Sequence, residues 1–236
     1  MLVLAFDTCL GSLSVAVAHC ERGEARVLAE HEERAEAGHA ERLIPVLDQT
    51  MRVAGCRFAD LSRIVVTLGP GTFTGVRTGI AAARALRLAT GVEVAGLTSL
   101  AAIAARITGA DGPTSGLVAA PTLIAVDARR GRLYVQLFGA GPLDPTTAPV
   151  ELTAEEAADL ITVPGTRLAG SGAAAVADIA HGRGIVIEMA GSDLEPRATD
   201  LARLAPLLEP LGAVTPIYVR APDAKPQTAK TLARAS

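Results

Sequence analysis

Tryptophan is absent from this 236-residue chain, aromatic side chains make up only 3% of it, and no lysine precedes Lys225. Each shortage removes a class of function. Few rings leave little on which to stack bases, and a net charge of -3, from 22 basic and 25 acidic residues, comes with no basic run to follow a phosphate backbone. The chain as a whole is a poor nucleic-acid binder, although 22 cations leave room for a local patch. Without an early lysine it has no Walker-type phosphate loop, whose pattern needs that ammonium. Cys9, Cys20 and Cys56 are odd in number and lack C-x-x-C spacing, which argues against a disulfide framework or zinc site and fits reduced thiols. His19, His31, His39 and His181 form no H-x-x-x-H or H-E-x-x-H pair, so no metal site is expected. No apolar run approaches the ~20 residues of a membrane helix, and Met1–Phe6 meets Asp7 without the basic start of a signal peptide. A soluble, cytoplasmic chain with no membrane partner is expected.

Apolar residues, by contrast, make up half the sequence. A core of Ala, Val, Leu and Ile suits helices packed on parallel strands, and the length allows one domain or two lobes without a cofactor for folding. The organising stretch is Leu68–Gly79, L-G-P-G-T-F-T-G-V-R-T-G, between the apolar run Ile64–Val66 and an Ala-rich helix. It reads as strand, loop and helix, with Thr72 or Thr74 as the cap. Such a joint can hold an anion on free helix amides, or serve only a tight turn and close packing. The helix beyond it carries an apolar stripe of Val76, Ile80, Ala83 and Leu86 beside a small-residue face of Gly75, Thr78, Ala82, Ala85 and Ala89.

In order, the pattern predicts strands at Leu2–Phe6, Leu13–Val17 and Ala25–Ala29, then a helix over 38–54 that Pro45 kinks or starts. Ile64–Thr67, the joint and its helix, a strand at Val92–Ala95 and a helix at Thr98–Ile107 complete a βββαβαβα unit. A shift of 120 places lays Asp7 on Asp127, Gly11 on Gly131, Leu13 on Leu133, Val15 on Val135 and Val17 on Leu137. Later elements recur too: a helix at Thr153–Ile161, a strand at Arg167–Ala169, a Gly-Ser-Gly joint at Gly170–Gly172, a strand at Ile185–Ile187 and a helix at Thr199–Glu209. The expected organisation is a duplicated α/β unit: a lobe over 1–108, a crossing segment over 109–121, a smaller lobe over 122–220 and a mobile tail over 221–236.

Two such lobes place Asp7 and Asp127 at equivalent strand ends beside a cleft. There they can hold hydrated magnesium and a nucleotide phosphate, with Thr8, Gly11 and Ser12 as donors, or each Asp can simply cap its own turn. Ser171 reads as a helix cap, and no catalytic residue or triad can be assembled from spacing.

The blocks Met1–Val17, Gly38-His39 through Leu47, Leu68–Gly79, Ile124–Tyr134 and Pro216–Arg220 closely resemble the bacterial TsaB (YeaZ) family of the actin/Hsp70/sugar-kinase superfamily. The resemblance implies duplicated actin-like, ribonuclease H-like lobes, each a mixed sheet with helices. It also implies a part in making N6-threonylcarbamoyladenosine at position 37 of tRNAs that read ANN codons. In that family TsaB is a partner of the catalytic paralogue TsaD, TsaE completes the complex, and tRNA is reached through the assembly. ATP and a metal are expected on those partners, with no cofactor required by this chain. The paired metal histidines of TsaD fall on Ser99 and Ile103, which implies a non-catalytic scaffold. The first two helices pair with those of TsaD, or form a homodimer alone, so the expected interface is His39, Leu43, Val46, Leu47, Val76, Ile80 and Ala83. The alternative is an ATP-binding phosphotransferase or ATPase acting through Asp7 and Asp127.

Overall fold

A computed structural model describes residues 1–21, 24–34, 39–108 and 120–219. The expected tail over 221–236, and most of the expected crossing over 109–121, lie outside these residues. Two five-stranded mixed sheets form the frame. The first is built from β1 (Leu2–Asp7), β2 (Ser12–Glu21), β3 (Glu24–Arg34), β4 (Arg63–Thr67) and β5 (Glu93–Leu97), in the order β3-β2-β1-β4-β5. The second contains β6 (Thr122–Asp127), β7 (Leu133–Phe138), β8 (Val150–Leu152), β9 (Thr166–Ala169) and β10 (Ile187–Gly191), in the order β10-β9-β6-β7-β8. Matching β6 to β1, β7 to β2, β8 to β3, β9 to β4 and β10 to β5 makes the two orders identical. The chain is thus a duplicated α/β unit, as the repeat predicts.

The repeat slips by one residue at each hairpin. Asp7 pairs with Ser14 but Asp127 pairs with Leu133, so the second turn is one residue shorter and Val15 corresponds to Tyr134, not Val135. The parallel joints agree more closely: Gly69 and Gly170, each following the fourth strand of its lobe, have φ of 102° and 104°. Such angles are open to glycine and strained for other residues.

Helices α1 (His39–Val53), α2 (Phe73–Thr90) and α3 (Ser99–Thr108) belong to the first lobe, and α4 (Ala154–Asp159) and α5 (Ala173–Gly182) to the second. The strand pattern is silent on α5, whose alanines carry little periodic contrast. Thr72 caps α2 by accepting from Gly75 N at 3.1 Å, and Gly91 ends the helix at φ 74°. Pro45 lies inside α1, which runs through it.

The final helix, α6 (Ala198–Leu204), corrects the domain boundary. In the repeat it stands for α3, yet Ala198, Leu201, Ala202 and Leu204 are buried in one core with Leu4, Val15 and Val17 of the first sheet. The chain beyond α6 stays there: Leu211 N donates to Val94 O at 2.8 Å and Ile217 N to Leu68 O at 2.7 Å. Residues 198–219 therefore complete the first lobe, and the second lobe ends near β10 rather than at 220. The reason is apolar area: α6 lies across β1, β2 and β3 of the first sheet, while α3 packs against α6 and on β6 and β7, and a separate core of the second lobe is closed by α4 and α5.

The glycines of the organising joint serve close packing. The start of α2 lies against the backbone that leaves β1: Thr72 N donates to Cys9 O at 2.7 Å and Thr8 Oγ1 to Gly75 O at 2.7 Å. A Cβ on Gly75 would overlap the carbonyl oxygen of Thr8, and one on Gly71 that of Cys9. Gly75→Ala is expected to lower stability by about 3 kcal/mol in urea unfolding, because backbone on both sides must move.

Candidate functional site

The residues at the end of β1 are drawn into the interior of the first lobe. Asp7, the last residue of β1, is fully buried; its Oδ1 accepts from Cys9 N at 3.3 Å and from the Thr67 hydroxyl, which also takes the Cys9 thiol at 3.2 Å. Among the described residues its Oδ2 has no partner, and neither has the buried Ser12 hydroxyl. Burial raises the Asp7 carboxyl to about 7; the Thr67 hydrogen bond opposes that rise and the nearby charge of Glu195 adds to it. Burial also pushes the Cys9 thiol well above its ordinary value, so it is no nucleophile. Thr8 is tied to α2 as described. Asp127 differs from its counterpart: it is exposed, and its Oδ1 accepts from Arg129 N at 2.8 Å in an Asx turn. Among the described residues no hydrogen bond or ion pair joins the two aspartates.

The amide that would greet a phosphate already has an anion. Gly11 N donates to Glu195 Oε2 at 3.2 Å. Glu195 lies on the segment between β10 and α6, which is clamped on both sides: Arg34 pairs with Asp193, Arg197 with Glu32 at 2.9 Å, and Arg106 donates to the Glu195 carbonyl at 2.8 Å. A nucleotide phosphate at Gly11 must displace this carboxylate, and the Asp7 Oδ1 is already engaged by Cys9 N and the Thr67 hydroxyl. Asp7, Thr8, Gly11, Ser12 and Asp127 therefore do not fit magnesium and nucleotide as a set. Glu195 is 184 residues from Gly11 and no local pattern marks it; only the fold brings the two together.

One further assignment changes. The Ser171 hydroxyl does not cap α5; it accepts from Asp127 N at 3.0 Å, and the capping position falls to Gly172. Ser99, in place of a metal histidine, donates its hydroxyl to Pro70 O, and Ile103 is fully buried. Among the described residues no cluster of three or more His, Cys, Asp or Glu could hold a metal ion.

The residues expected at an interface face inward. Leu43, Val46, Leu47, Val76, Ile80 and Ala83 are all buried, 4% exposed at most, within the first lobe's own core. They are the stripe that seats α1 and α2 on the sheet, so they are not free for a partner. His39 begins α1, but its side chain lies outside the described part. The small-residue face divides as well: Gly75 and Ala82 face inward, whereas Ala85 and Ala89 are exposed. Beside charged residues such as Glu41, Arg42 and Arg52 on α1 and Arg77, Arg84 and Arg87 on α2, the two helices also turn large apolar side chains to solvent: Ile44 is 57% exposed and Leu88 90%. Between the helices a groove is lined by Ile44, Pro45, Leu47, Asp48, Phe58 and Leu86. No helix among the described residues is long and apolar enough to cross a membrane.

Comparison with known proteins matches residues 30–159 to the family model described as TsaD: tRNA N6-adenosine threonylcarbamoyltransferase. An uncharacterised Mycobacterium tuberculosis protein is 34% identical over 95% of this chain and 94% of its own length. The Bacillus subtilis tRNA threonylcarbamoyladenosine biosynthesis protein TsaB is 32% identical over 58% of this chain, an alignment that spans only 55% of that relative. Among solved structures, YeaZ from Pseudomonas aeruginosa superposes with a TM-score of 0.70 at 26% identity, covering 92% of this chain and 99% of the other. With the duplicated sheet order and these matches, the chain belongs to the TsaB, or YeaZ, family of actin-like proteins.

Proposed function

We propose that this chain takes part in forming N6-threonylcarbamoyladenosine at position 37 of ANN-reading tRNAs as a non-catalytic partner of a TsaD-type enzyme, docking through the outward faces of α1 and α2. The observation that carries this reading is the exposed apolar surface at the groove between two adjacent helices, Ile44 and Pro45 of α1 facing Leu86 of α2, with Ala85, Leu88 and Ala89 exposed farther round α2. Contiguous exposed apolar surface on a folded domain favours a protein partner, and small residues let a second pair of helices approach closely. With TsaE, the assembly supplies the ATP and metal chemistry from other subunits. In the absence of TsaD the same face, being self-complementary, pairs two copies of the chain.

The double variant Ile44→Asp with Leu88→Asp tests the reading. Both side chains are exposed, so the melting temperature should stay within a few degrees of the parent, as exposed substitutions change stability by about 0.5 kcal/mol. Co-elution with TsaD, and threonylcarbamoylation of tRNA in the reconstituted system, should both be lost. Undiminished co-elution of that variant would place the contact elsewhere.

A further inference from the structure

The edge of α2 that lies beside the segment 210–219 carries a distinct charge pattern. Arg77, Arg84 and Arg87 project along it, three cations spanning about 15 Å of helix. Each is held by a neutral acceptor: Arg77 Nε donates to the Tyr218 hydroxyl at 2.8 Å, Arg84 Nε to Val214 O at 2.8 Å, and Arg87 Nη1 to Leu211 O and Gly212 O at 3.0 Å. Among the described residues none of the three forms an ion pair, whereas Arg34, Arg42, Arg57, Arg132 and Arg197 each sit on a carboxylate. Neither α2 nor the segment 210–219 laid beside it contains an Asp or Glu. Glu209, just before that segment, forms no ion pair with them among the described residues, so in a chain of net charge -3 the three guanidinium groups stay unpaired here.

Aromatic faces stand at its end. Phe73 and Tyr218, 45% and 42% exposed, stack with ring centroids 5.6 Å apart, and the Arg77 guanidinium lies 3.6 Å over the Phe73 ring. Two of the chain's six aromatic residues, drawn from sequence blocks more than a hundred residues apart, therefore meet at the head of the arginine row. Each guanidinium has donors to spare after its bonds to the neutral acceptors.

We propose that this edge is a contact site for single-stranded RNA, the loop of the substrate tRNA, with Arg84 and Arg87 on phosphates and the Phe73–Arg77–Tyr218 cluster against a base. Charge complementarity selects the ligand: an unneutralised row of guanidinium groups beside exposed rings suits a polyanion that also offers π-faces, and an acidic protein surface would leave the rings unused. Only the choice of tRNA as the source of the strand rests on the function proposed above. The patch is local, which reconciles it with the acidic balance of the whole chain.

The test is fluorescence anisotropy of a labelled anticodon stem-loop RNA with the full chain, from about 50 to 200 mM salt. The double variant Arg84→Gln with Arg87→Gln keeps amide donors for the Val214 and Leu211 carbonyls but removes two charges. It should flatten the slope of log affinity against log salt by about 0.7 for each lost phosphate contact, while the Arg→Lys versions keep the parent slope. Phe73→Leu should weaken binding about tenfold with little change in slope. Absence of binding at the lowest salt, or an unchanged slope in the Gln variant, overturns the proposal. So does loss of TsaD co-elution in the Gln variant with RNA affinity intact, which would make the edge a protein contact. The single variant Ile44→Asp, at the groove on the α1 side and away from these arginines, keeps the two readings separable: failure here leaves its co-elution result unaffected, and the reverse also holds.

Discussion

Replacing Ile80 by aspartate is expected to unfold the chain, not merely to separate it from a partner. Ile80 is 3% exposed in the first lobe's core, with Val76 and Ala83 on the same stripe. The substitution removes the transfer free energy of a buried isoleucine and leaves a carboxyl with no partner, together about 5 kcal/mol or more. That is comparable with the whole stability of a domain. The expected outcome is insoluble or molten protein, read by loss of the cooperative thermal transition. Leu88→Asp, eight residues along the same helix but 90% exposed, should melt as the parent does. A well-folded Ile80→Asp protein that fails only to bind TsaD would restore the buried stripe as the interface and refute the packing described above.

Asp7→Asn should stabilise the chain at neutral and alkaline pH and matter little near pH 4. The Asp7 carboxyl is raised from 3.8 to about 7 by burial, so the folded state holds its proton more tightly than the unfolded state does. Its contribution is fully present below the unfolded value and is lost as pH rises through the folded one. Over that window the parent loses about 1.4 kcal/mol of stability per pH unit from this group, and above about pH 7 the loss is complete. Asparagine keeps an oxygen for Cys9 N and Thr67 and never ionises. Asp200, which burial also raises, remains in both proteins and cancels in the comparison, whereas Glu195, whose charge adds to the Asp7 rise, is coupled to it and is part of the difference. Urea unfolding at a series of pH values should show the advantage of the variant growing from pH 4 to 7 and then levelling off. Parallel stability curves would mean that Asp7 is an ordinary carboxylate.

Periodicity and punctuation made the elements legible. The apolar run of β1 is a strand buried on both faces, Thr72 is the cap of α2, and the repeat of strand, aspartate and turn announces two equivalent sheets. These are local signals, set by side-chain alternation, φ preferences and capping chemistry within a few residues. The α5 helix escaped because a run of alanines has no contrasting face.

Partnership between distant segments was not legible. Whether the stripe of α1 and α2 faced the chain's own sheet or another molecule depends on which surface covers it, and periodicity reports only that a stripe exists. Glu195 on the Gly11 amide, α6 returning to the first sheet, and Tyr218 beside Phe73 are contacts across more than a hundred residues. By itself the sequence determined the duplicated α/β unit, the glycine joint and the family resemblance, because each is written in short-range pattern. The tertiary structure alone decided which apolar face is core, which carboxylate closes the strand-end site and which arginines stay unneutralised, because burial and charge pairing belong to surfaces brought together only by folding.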